Sequence, residues 1–318
     1  MIADNANKLP PAAKKQNGWP RKIESSEQLG FSQITNQFPL ISIVTPSFNQ
    51  GRFLEDTIRS VLLQNYLNLE YIIIDGGSTD ESAKIIKKYE PWLAYWVSEK
   101  DDGQSHALNK GFEQANGEIQ GWLNSDDYFA KDALKNLMML RADKPDCVAW
   151  IGACQDVDID CNPIKRIAPL AGSLKNLSNW GKDAWFAQPS CLFDAQAFRK
   201  VGMVDVNLDY AMDVDLWIRL RQIGLFATVD KVISFPRQYP DIKTLRDIPM
   251  RQAEHIYIDI KNGLPDLARE KFIRNKIRAF DEKPYFELLQ YFLLRSKRVM
   301  QILLKKSIDR FLALLNHK

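Results

Sequence analysis

The sequence predicts an α/β fold in which helices cover both faces of a mainly parallel, Rossmann-like sheet. Short apolar runs typical of strands alternate with amphipathic helical runs between residues 41 and 123. Polar motifs follow these strands directly, at the carboxyl ends where open parallel sheets bind ligands. The charge is nearly balanced, with 43 basic and 40 acidic residues, which argues against a general nucleic-acid binder.

The elements follow in order from these patterns. A strand at 41–45 precedes a helix in which Leu54, Ile58, Val61 and Leu62 share one face. The next elements are a strand at 71–75, a helix at 81–89, a strand at 93–98, a helix at 104–115 and a strand at 118–123. After about residue 130 the order loosens, with strands predicted at 147–154 and 225–229 and a helix at 211–223.

The same patterns divide the chain. Residues 1–38 are polar and predict a flexible leader with one docked segment around Trp19. The α/β domain is predicted at 39–243, in halves 39–130 and 131–243, and a helical appendage at 244–318. Within it, residues 285–315 read as a basic amphipathic helix or pair, which can pack on the domain or contact an anionic membrane surface.

Cysteine and histidine are scarce. The four cysteines form no C-x-x-C pair and there are three histidines, so the sequence argues against a zinc site. Sparse cysteines and an amino end without an apolar signal core predict a cytoplasmic protein. No apolar run approaches the roughly 18 to 20 residues of a membrane span, so a peripheral position at the inner face of the membrane is the expected form of any membrane contact.

Three motifs at strand ends carry the candidate chemistry. Residues 44–51, Val-Thr-Pro-Ser-Phe-Asn-Gln-Gly, form a strand-to-helix turn whose N–H groups can face an anion. Asp75 ends a buried strand and can accept hydrogen bonds from a base or ribose, or simply shape the turn. Residues 122–127, Trp-Leu-Asn-Ser-Asp-Asp, place two carboxylates side by side, which is either a solvated turn or a Mg²⁺ or Mn²⁺ site for a diphosphate.

Together these motifs resemble the inverting GT-A glycosyltransferases of the large bacterial family 2, over about residues 39–240. The resemblance implies transfer of a sugar from a nucleotide-diphosphate sugar to an acceptor hydroxyl, saccharide or lipid-linked, in cell-surface polysaccharide or glycolipid synthesis. It makes 39–130 the nucleotide-sugar half and 131–243 the acceptor half. It also implies a divalent cation, Mn²⁺ or Mg²⁺, held by Asp126 with Asp127 supporting or sharing it.

The resemblance further implies site residues. The nucleotide-sugar contacts that it assigns are Thr45, Pro46, Ser47, Phe48, Asn49, Asp75, Asp101, Asn109, Lys110, Asn124, Asp126, Gln188 and Arg237. Residues 210–219 are similar to the family's E-D-x-x-L-W-x-R-L segment, which makes Asp213 the catalytic base. Trp217 is expected in the core, and Asp215 is expected to face away from Asp213 because two residues apart on a helix point differently.

Three positions depart from the family pattern. Gly76 replaces a frequent second aspartate, Asn124 the first acidic position of the D-x-D motif, and Met212 the glutamate before the base. These departures leave open a catalytically weakened nucleotide-sugar-binding protein of the same fold. A nucleotidyltransferase is the other alternative, although no P-loop or G-x-G-x-x-G motif stands at a strand-to-helix turn.

Overall fold

The computed structural model describes residues 9–12, 18–21, 39–64, 66–246 and 248–271. The predicted amphipathic region 285–315 therefore lies outside the described residues. The chain divides into two compact units. Unit 1 comprises Met1–Val206 and Met212–Pro240, and unit 2 comprises Asn207–Ala211 and Asp241–Lys318.

Strands and helices alternate through most of the described chain. The strands are β1 (Ile41–Ser47), β2 (Leu69–Asp75), β3 (Tyr95–Ser98), β4 (Ile119–Trp122), β5 (Tyr128–Phe129), β6 (Cys147–Val157), β7 (Pro163–Ile167), β8 (Cys191–Asp194) and β9 (Leu225–Phe235). The helices are α1 (Gly51–Leu62), α2 (Ser82–Tyr89), α3 (Gln104–Glu113), α4 (Ala133–Asp143), α5 (Leu174–Ser178), α6 (Ala195–Lys200), α7 (Met212–Ile223), α8 (Lys243–Arg246) and α9 (Ile248–Lys261).

The strands of unit 1 form one mixed sheet. Its order is β3-β2-β1-β4-β8-β6-β9-β5, with β7 paired to β6. β1 pairs in parallel with both β2 and β4, and β2 pairs in parallel with β3. β8 joins β4 and β6 by antiparallel pairing, and β6 then pairs in parallel with β9. The four strands β1 to β4 are thus wholly parallel, while the rest of the sheet mixes both directions.

The core explains why these segments form these elements. All seven residues of β1 are buried, as expected for a parallel strand covered on both faces. On α1, Leu54, Ile58, Val61 and Leu62 are at most 2% exposed, which confirms the face predicted from their spacing. Apolar burial of this kind stabilises the fold by about 25 cal/mol per Å² of surface removed from water.

The predicted α/β class is confirmed, and several elements were missed. The sequence patterns gave no indication of β5, β7, β8 or α4 to α6, and β9 continues well beyond the predicted 225–229. Apart from α4, which has 11 residues, the missed elements are two to six residues long, too short for a hydrophobic period to show. Among the described residues, no helix combines the length and the apolar character needed to cross a membrane.

Unit 2 contains a buried carboxylate that organises its own loop. Glu254 on α9 is fully buried and accepts hydrogen bonds from the backbone N–H groups of Asp209, Tyr210 and Ala211, each at 2.8 Å. Three N–H donors satisfy a buried carboxylate, which would otherwise be costly.

We expect Gly111→Ala to destabilise unit 1. A Cβ atom at Gly111 of α3 would lie 2.4 Å from Val44 Cγ1 and 3.2 Å from Ile74 Cγ1, on the two neighbouring strands β1 and β2. Overpacking of this kind costs about 1–3 kcal/mol. Urea denaturation measures the loss, with Glu113→Ala on the exposed side of the same helix as control. Equal midpoints for the two variants would contradict the close packing of α3 on the sheet.

Candidate active site

Strand register brings the three motifs to one edge of the sheet. Ser47 at the end of β1 pairs with Asp75 at the end of β2, and the Gly76 N–H donates to the Ser47 carbonyl at 2.8 Å. On the other side Val44 pairs with Trp122 of β4. Because the three strands are parallel, the loops that follow them start at the same edge.

Hydrogen bonds join the loop after β1 to the loop after β2. The backbone N–H of Asn49 donates to Ser78 Oγ at 2.7 Å, and its side-chain oxygen accepts from the Thr79 N–H at 2.8 Å. The Gly51 N–H donates to Asp80 Oδ2 at 2.8 Å. Asn49 has a positive φ of 53°, which an asparagine tolerates better than most residues. These three hydrogen bonds therefore hold the two loops together.

The five residues from Thr45 to Asn49 differ greatly in exposure. Thr45 is fully buried and its hydroxyl lies 3.0 Å from that of Tyr71, and Pro46 is buried too. Ser47 is 4% exposed, and its Oγ has no hydrogen-bond partner among the described residues. Phe48 is 61% exposed, although an aromatic ring of this size is usually covered. Only Phe48 and Asn49 of this motif present their side chains to solvent.

Asp75 is buried and holds its own turn. Its carboxylate accepts hydrogen bonds from the Ser78 N–H at 2.9 Å, from Ser78 Oγ at 2.6 Å and from Ser98 Oγ at 2.6 Å. This is the turn-shaping role weighed as the alternative for Asp75. A carboxylate has about four lone-pair positions, so these bonds leave about one for a further donor.

Gly76 is small because the Asp101 carboxylate lies against it. A Cβ atom at Gly76 would be 2.8 Å from Asp101 Oδ2. Asp101 also accepts the Gly103 N–H at 2.9 Å, at the start of α3. Asp101 therefore brings a carboxylate to the position where the family pattern often has its second aspartate. An aspartate at position 76 would force the Asp101 side chain to move, and the two carboxylates would repel each other.

The turn after β4 is held from two sides. Asn124 Oδ1 accepts a hydrogen bond from Gln104 Nε2 at 2.8 Å, so its amide is oriented by α3. The Thr57 hydroxyl of α1 lies 3.0 Å from the Ser125 carbonyl and 2.6 Å from the Asp127 carbonyl. These contacts fix the backbone on either side of Asp126.

The two carboxylates of this turn have different surroundings. Asp126 is half-buried, and its Oδ2 accepts a hydrogen bond from the Tyr239 hydroxyl at 2.7 Å. Asp127 is buried and its Oδ1 accepts the Arg237 N–H at 3.0 Å. Burial, and then the charge of Asp126, raise the pKa of the Asp127 carboxyl well above its usual value, while Arg237 opposes the shift. Asp126 is therefore the carboxylate available to a ligand.

Arg237, predicted as a diphosphate contact, is buried next to the turn after β4. Its side chain has no exposed surface, and Nη2 donates to Asp56 Oδ2 at 2.8 Å while Nη1 donates to the Asp126 carbonyl at 2.5 Å. The guanidinium carbon also lies within 5 Å of the ring centroids of Phe53 and Tyr128, at 4.9 and 4.7 Å. Burial between two rings and a carboxylate makes Arg237 a support of the turn rather than a surface cation.

The oxygen atoms of Asp126 and Asn124 fit a divalent cation that takes most of its ligands from water and from substrate phosphates. The described residues contain no group of three or more His, Cys, Asp or Glu that could hold a metal. Asp126 and Asn124 offer hard oxygen atoms, which Mg²⁺ and Mn²⁺ prefer. Mg²⁺ is commonly bound by one or two carboxylates with water and substrate phosphates. Asp126 as contact and Asp127 as buried support match this pattern.

The segment with the predicted base lies beside β4. Trp217 of α7 is fully buried and stacks on Trp122, with ring centroids 5.7 Å apart and planes at 11°. This confirms that Trp217 packs in the core. Asp215 is fully buried and accepts from Arg219 Nε at 2.8 Å, whereas Asp213, in the first turn of α7, is only half-buried. The two aspartates therefore face different surroundings, as their spacing predicts.

Three other predicted contacts have partners of their own. Asn109 donates from Nδ2 to the Val204 carbonyl at 2.8 Å and accepts the Val204 N–H at 3.1 Å, which favours a structural role for this side chain. Lys110 forms an ion pair with Glu99. Gln188 is 8% exposed and donates to the Trp122 carbonyl at 2.7 Å, while its Oε1 has no partner among the described residues.

Sequence reasoning missed two charged residues buried on α1 and the tyrosine that donates to Asp126. Asp56 and Arg59 lie on α1 between its apolar residues and are 4% and 2% exposed. Charged residues inside a buried helical stripe are unusual, and this position is the signal that could have identified them. Tyr239 carries no such signal, because it follows the last strand of the sheet in a loop.

The fold and the ligand edge of the sheet define a glycosyltransferase of the GT-A type. The model of the family described as glycosyl transferase family 2 matches residues 42–202, and the chain belongs to this family. The chain is 27% identical over 252 residues to an uncharacterized glycosyltransferase of Rickettsia prowazekii, covering 75% of this chain and 76% of that protein. It spans between 60% and 76% of the length of four such curated relatives.

Two solved structures share the fold. TarS 1-349 of S. aureus in complex with UDP-GlcNAc superposes with a TM-score of 0.58 at 15% identity, covering 82% of this chain and 77% of that one. The mannosyltransferase PcManGT of Pyrobaculum calidifontis, in complex with GDP-Man and Mn²⁺, gives 0.56 at 19% identity, with 87% and 82% covered. At these identities the likeness establishes the fold alone.

We expect Asn109→Ala to lower stability without lowering nucleotide affinity. The change removes two hydrogen bonds to Val204 and leaves its backbone groups unsatisfied, which costs about 1–3 kcal/mol. Thermal unfolding and UDP titration of the folded protein separate the two effects. The control is Asn136→Ala on α4, where the side chain accepts a hydrogen bond from the exposed end of Lys231. An affinity loss with an unchanged melting temperature would restore Asn109 as a nucleotide contact.

Proposed function

We propose that this protein binds a nucleotide-diphosphate sugar at the edge formed by β1, β2 and β4 and transfers the sugar to an acceptor hydroxyl with inversion. The observation that carries the proposal is the parallel register of β1 with β2 and β4, which gathers the three polar motifs. Nucleotide-sugars in the two structural neighbours support the same class of donor.

The donor contacts follow from the exposure of the side chains. The exposed ring of Phe48 offers a flat apolar face to a nucleobase, and Asp101 and the remaining lone pair of Asp75 can accept its N–H groups or ribose hydroxyls. Ser47 Oγ and Gln188 Oε1 are buried polar atoms without partners among the described residues. Unsatisfied buried atoms are costly, and a bound donor would supply their hydrogen bonds.

A divalent cation completes the proposed site. Asp126 would hold it, Asn124 would orient a water or ribose hydroxyl, and Asp127 and Arg237 would keep the turn in place. When bound, Mn²⁺ or Mg²⁺ supplies positive charge that stabilises the departing diphosphate. The Mn²⁺ bound together with GDP-Man in the PcManGT structure supports this assignment.

Asp213 is the proposed catalytic base. Its carboxylate takes the proton of the acceptor hydroxyl, whose oxygen attacks the anomeric carbon while the nucleoside diphosphate leaves from the opposite face. One base suffices for a single displacement, so inversion needs no enzymic nucleophile. The stacking of Trp217 on Trp122 packs α7, which carries Asp213, against β4, which leads into the turn with Asp126.

The acceptor and the location are proposed on the sequence pattern. A role in cell-surface polysaccharide or glycolipid synthesis follows from the motif resemblance. A cytoplasmic location is proposed from the sparse cysteines and from an amino end without an apolar signal core. Peripheral contact at the inner face of the membrane is proposed from residues 285–315, which lie outside the described residues. Arginine and lysine near an anionic surface each add about 1 kcal/mol of attraction.

We expect UDP to stabilise the protein against unfolding in the presence of Mn²⁺. Asp126→Asn should remove the part of this stabilisation that depends on Mn²⁺. Ligand at 100 times its dissociation constant adds about 2.7 kcal/mol to the free energy of unfolding. Loss of a direct ligand should cost more than the about 10–100-fold in metal affinity that follows loss of an outer partner. Titration calorimetry with UDP and GDP, with and without Mn²⁺, measures this. The control is the exposed Asp160→Asn. Nucleotide binding that ignores Mn²⁺ would refute the cation site.

We expect Asp213→Asn to abolish transfer while preserving donor binding, because the amide keeps the shape and loses the proton acceptor. General-base catalysis contributes about 10²–10⁴-fold, so kcat should fall by that factor. Donor affinity by calorimetry and product formation from a panel of nucleotide-sugars and acceptors are the two measurements. Unchanged kcat in the variant would place the base elsewhere.

A binding protein without transferase activity is the second candidate. Asn124 and Met212 stand where the family pattern is acidic, which favours it. Nucleotide-sugar binding without product from any acceptor, in the parent and in Asn124→Asp, would support this alternative.

A further inference from the structure

A short amino-terminal segment, residues 9–12 and 18–21, lies against α1. Arg59 of α1 is 2% exposed and donates hydrogen bonds to the carbonyl groups of Pro10 at 2.7 Å, Pro20 at 3.2 Å and Arg21 at 3.3 Å. It also donates to the Tyr89 hydroxyl at 3.3 Å. A buried guanidinium needs such acceptors, so the segment satisfies a cation that the domain itself has buried.

Two more contacts hold the segment. Trp19 Nε1 donates to the Phe129 carbonyl at 2.7 Å, next to the turn that carries Asp126 and Asp127. Lys88 Nζ donates to the Pro11 carbonyl at 2.9 Å. The segment is therefore attached independently of the Arg21 side chain.

The Arg21 side chain binds a buried carboxylate. It is 7% exposed and donates two hydrogen bonds to Asp56, from Nε to Oδ1 at 2.8 Å and from Nη2 to Oδ2 at 2.5 Å. These bonds raise the pKa of the Arg21 guanidinium, so it stays charged. A two-point contact between guanidinium and carboxylate fixes the plane of both groups.

Asp56 passes this constraint to the turn after β4. Its Oδ2 also accepts from Arg237 Nη2, and Arg237 in turn donates from Nη1 to the Asp126 carbonyl and from its backbone N–H to Asp127 Oδ1. All five residues belong to unit 1. The contacts form a continuous series from the amino-terminal segment to the candidate cation site.

We propose that Arg21 is a positioning residue for the Asp126–Asp127 turn and acts on it through Asp56 and Arg237. The inference rests on the proposed function for its effect on ligand binding. Asp56 is shared between two guanidinium groups, and losing Arg21 removes two of its three ion-pair hydrogen bonds. The Asp56 carboxylate can then rotate, because the two hydrogen bonds that fix its plane are gone. Arg237 should move with it, since a buried carboxylate keeps its remaining ion-pair partner. Arg237 would leave the geometry that supports Asp126.

The first test compares four proteins by calorimetry with UDP and Mn²⁺, well below their melting temperatures. Arg21→Gln should weaken the combined affinity about tenfold, the lower end of the range for outer partners of a metal site. Arg21→Lys, which keeps the charge but loses the two-point contact, should lie between it and the parent. Arg166→Gln, which removes an equal charge from an exposed ion pair with Asp230, should match the parent. Parent-like affinity for Arg21→Gln would overturn the proposal.

A second pair of measurements separates this inference from the proposed function. Hydrogen exchange followed by mass spectrometry, without ligand, should show faster exchange in peptides covering 124–128 and 235–239 for Arg21→Gln and not for Arg166→Gln. This result decides the positioning role even if the parent binds no nucleotide, an outcome that would refute only the proposed function. Unchanged exchange at both peptides would refute the positioning role.

A double-mutant cycle checks the route through Asp56. In an Asp56→Asn background, Arg21→Gln should accelerate exchange at 124–128 much less than it does in the parent. An equal increase in both backgrounds would show that Arg21 does not act through Asp56. Trp19→Phe, which removes the bond to the Phe129 carbonyl and trims the ring but leaves the contact of Arg21 with Asp56, controls for simple loosening of the segment.

Discussion

The parallel pairing of β1 with both β2 and β4 is the constraint on which the site depends. A parallel strand has its neighbours' carboxyl ends at its own carboxyl end, so three loops of separate sequence origin must meet there. Pairing of Ser47 with Asp75 fixes where the loops after β1 and β2 begin relative to each other. Pairing of Val44 with Trp122 does the same for the loops after β1 and β4. A slip of one residue would exchange the two covered faces of β1, so every buried side chain would meet different neighbours in the close-packed core. Core burial therefore fixes the geometry of the site as well as the fold.

The same edge concentrates carboxylates, and the structure compensates for each by a different means. Asp75 is satisfied by Ser78 in the loop after β2 and by Ser98 at the end of β3, Asp127 by the Arg237 N–H and the Asn124 side chain, and Asp56 by two guanidinium groups. Within the described part of the chain, the Asp126 carboxylate accepts a side-chain hydrogen bond from the Tyr239 hydroxyl alone. Asp126 therefore has the fewest hydrogen-bond donors of these carboxylates, and a cation would stabilise it most. It is also half-buried, so it has lost less of its hydration than the buried carboxylates.

The sequence predicted the parts of the fold that repeat. β1, β2 and β4 and the apolar face of α1 follow from periodicity, and the core position of Trp217 and the different surroundings of Asp213 and Asp215 follow from helical spacing. It could not predict β8, a four-residue strand inserted antiparallel between β4 and β6, because no local pattern encodes long-range pairing. The same limit applies to the predicted ligand contacts Asn109 and Arg237, because a motif gives residue types and not the hydrogen-bond partners that the folded chain provides for them.

The three departures from the family pattern have one physical account. At position 76 a second carboxylate would meet Asp101, which already stands there. At position 124 the amide both accepts from Gln104 and bonds the Asp127 carboxyl, and a carboxylate could not donate to Asp127. At position 212 the methionine is 6% exposed, where an ionised glutamate would need a buried partner. In each case the replacement avoids a carboxylate that its surroundings could not accommodate without a change of partners. Asp126 is left as the half-buried carboxylate of the turn after β4.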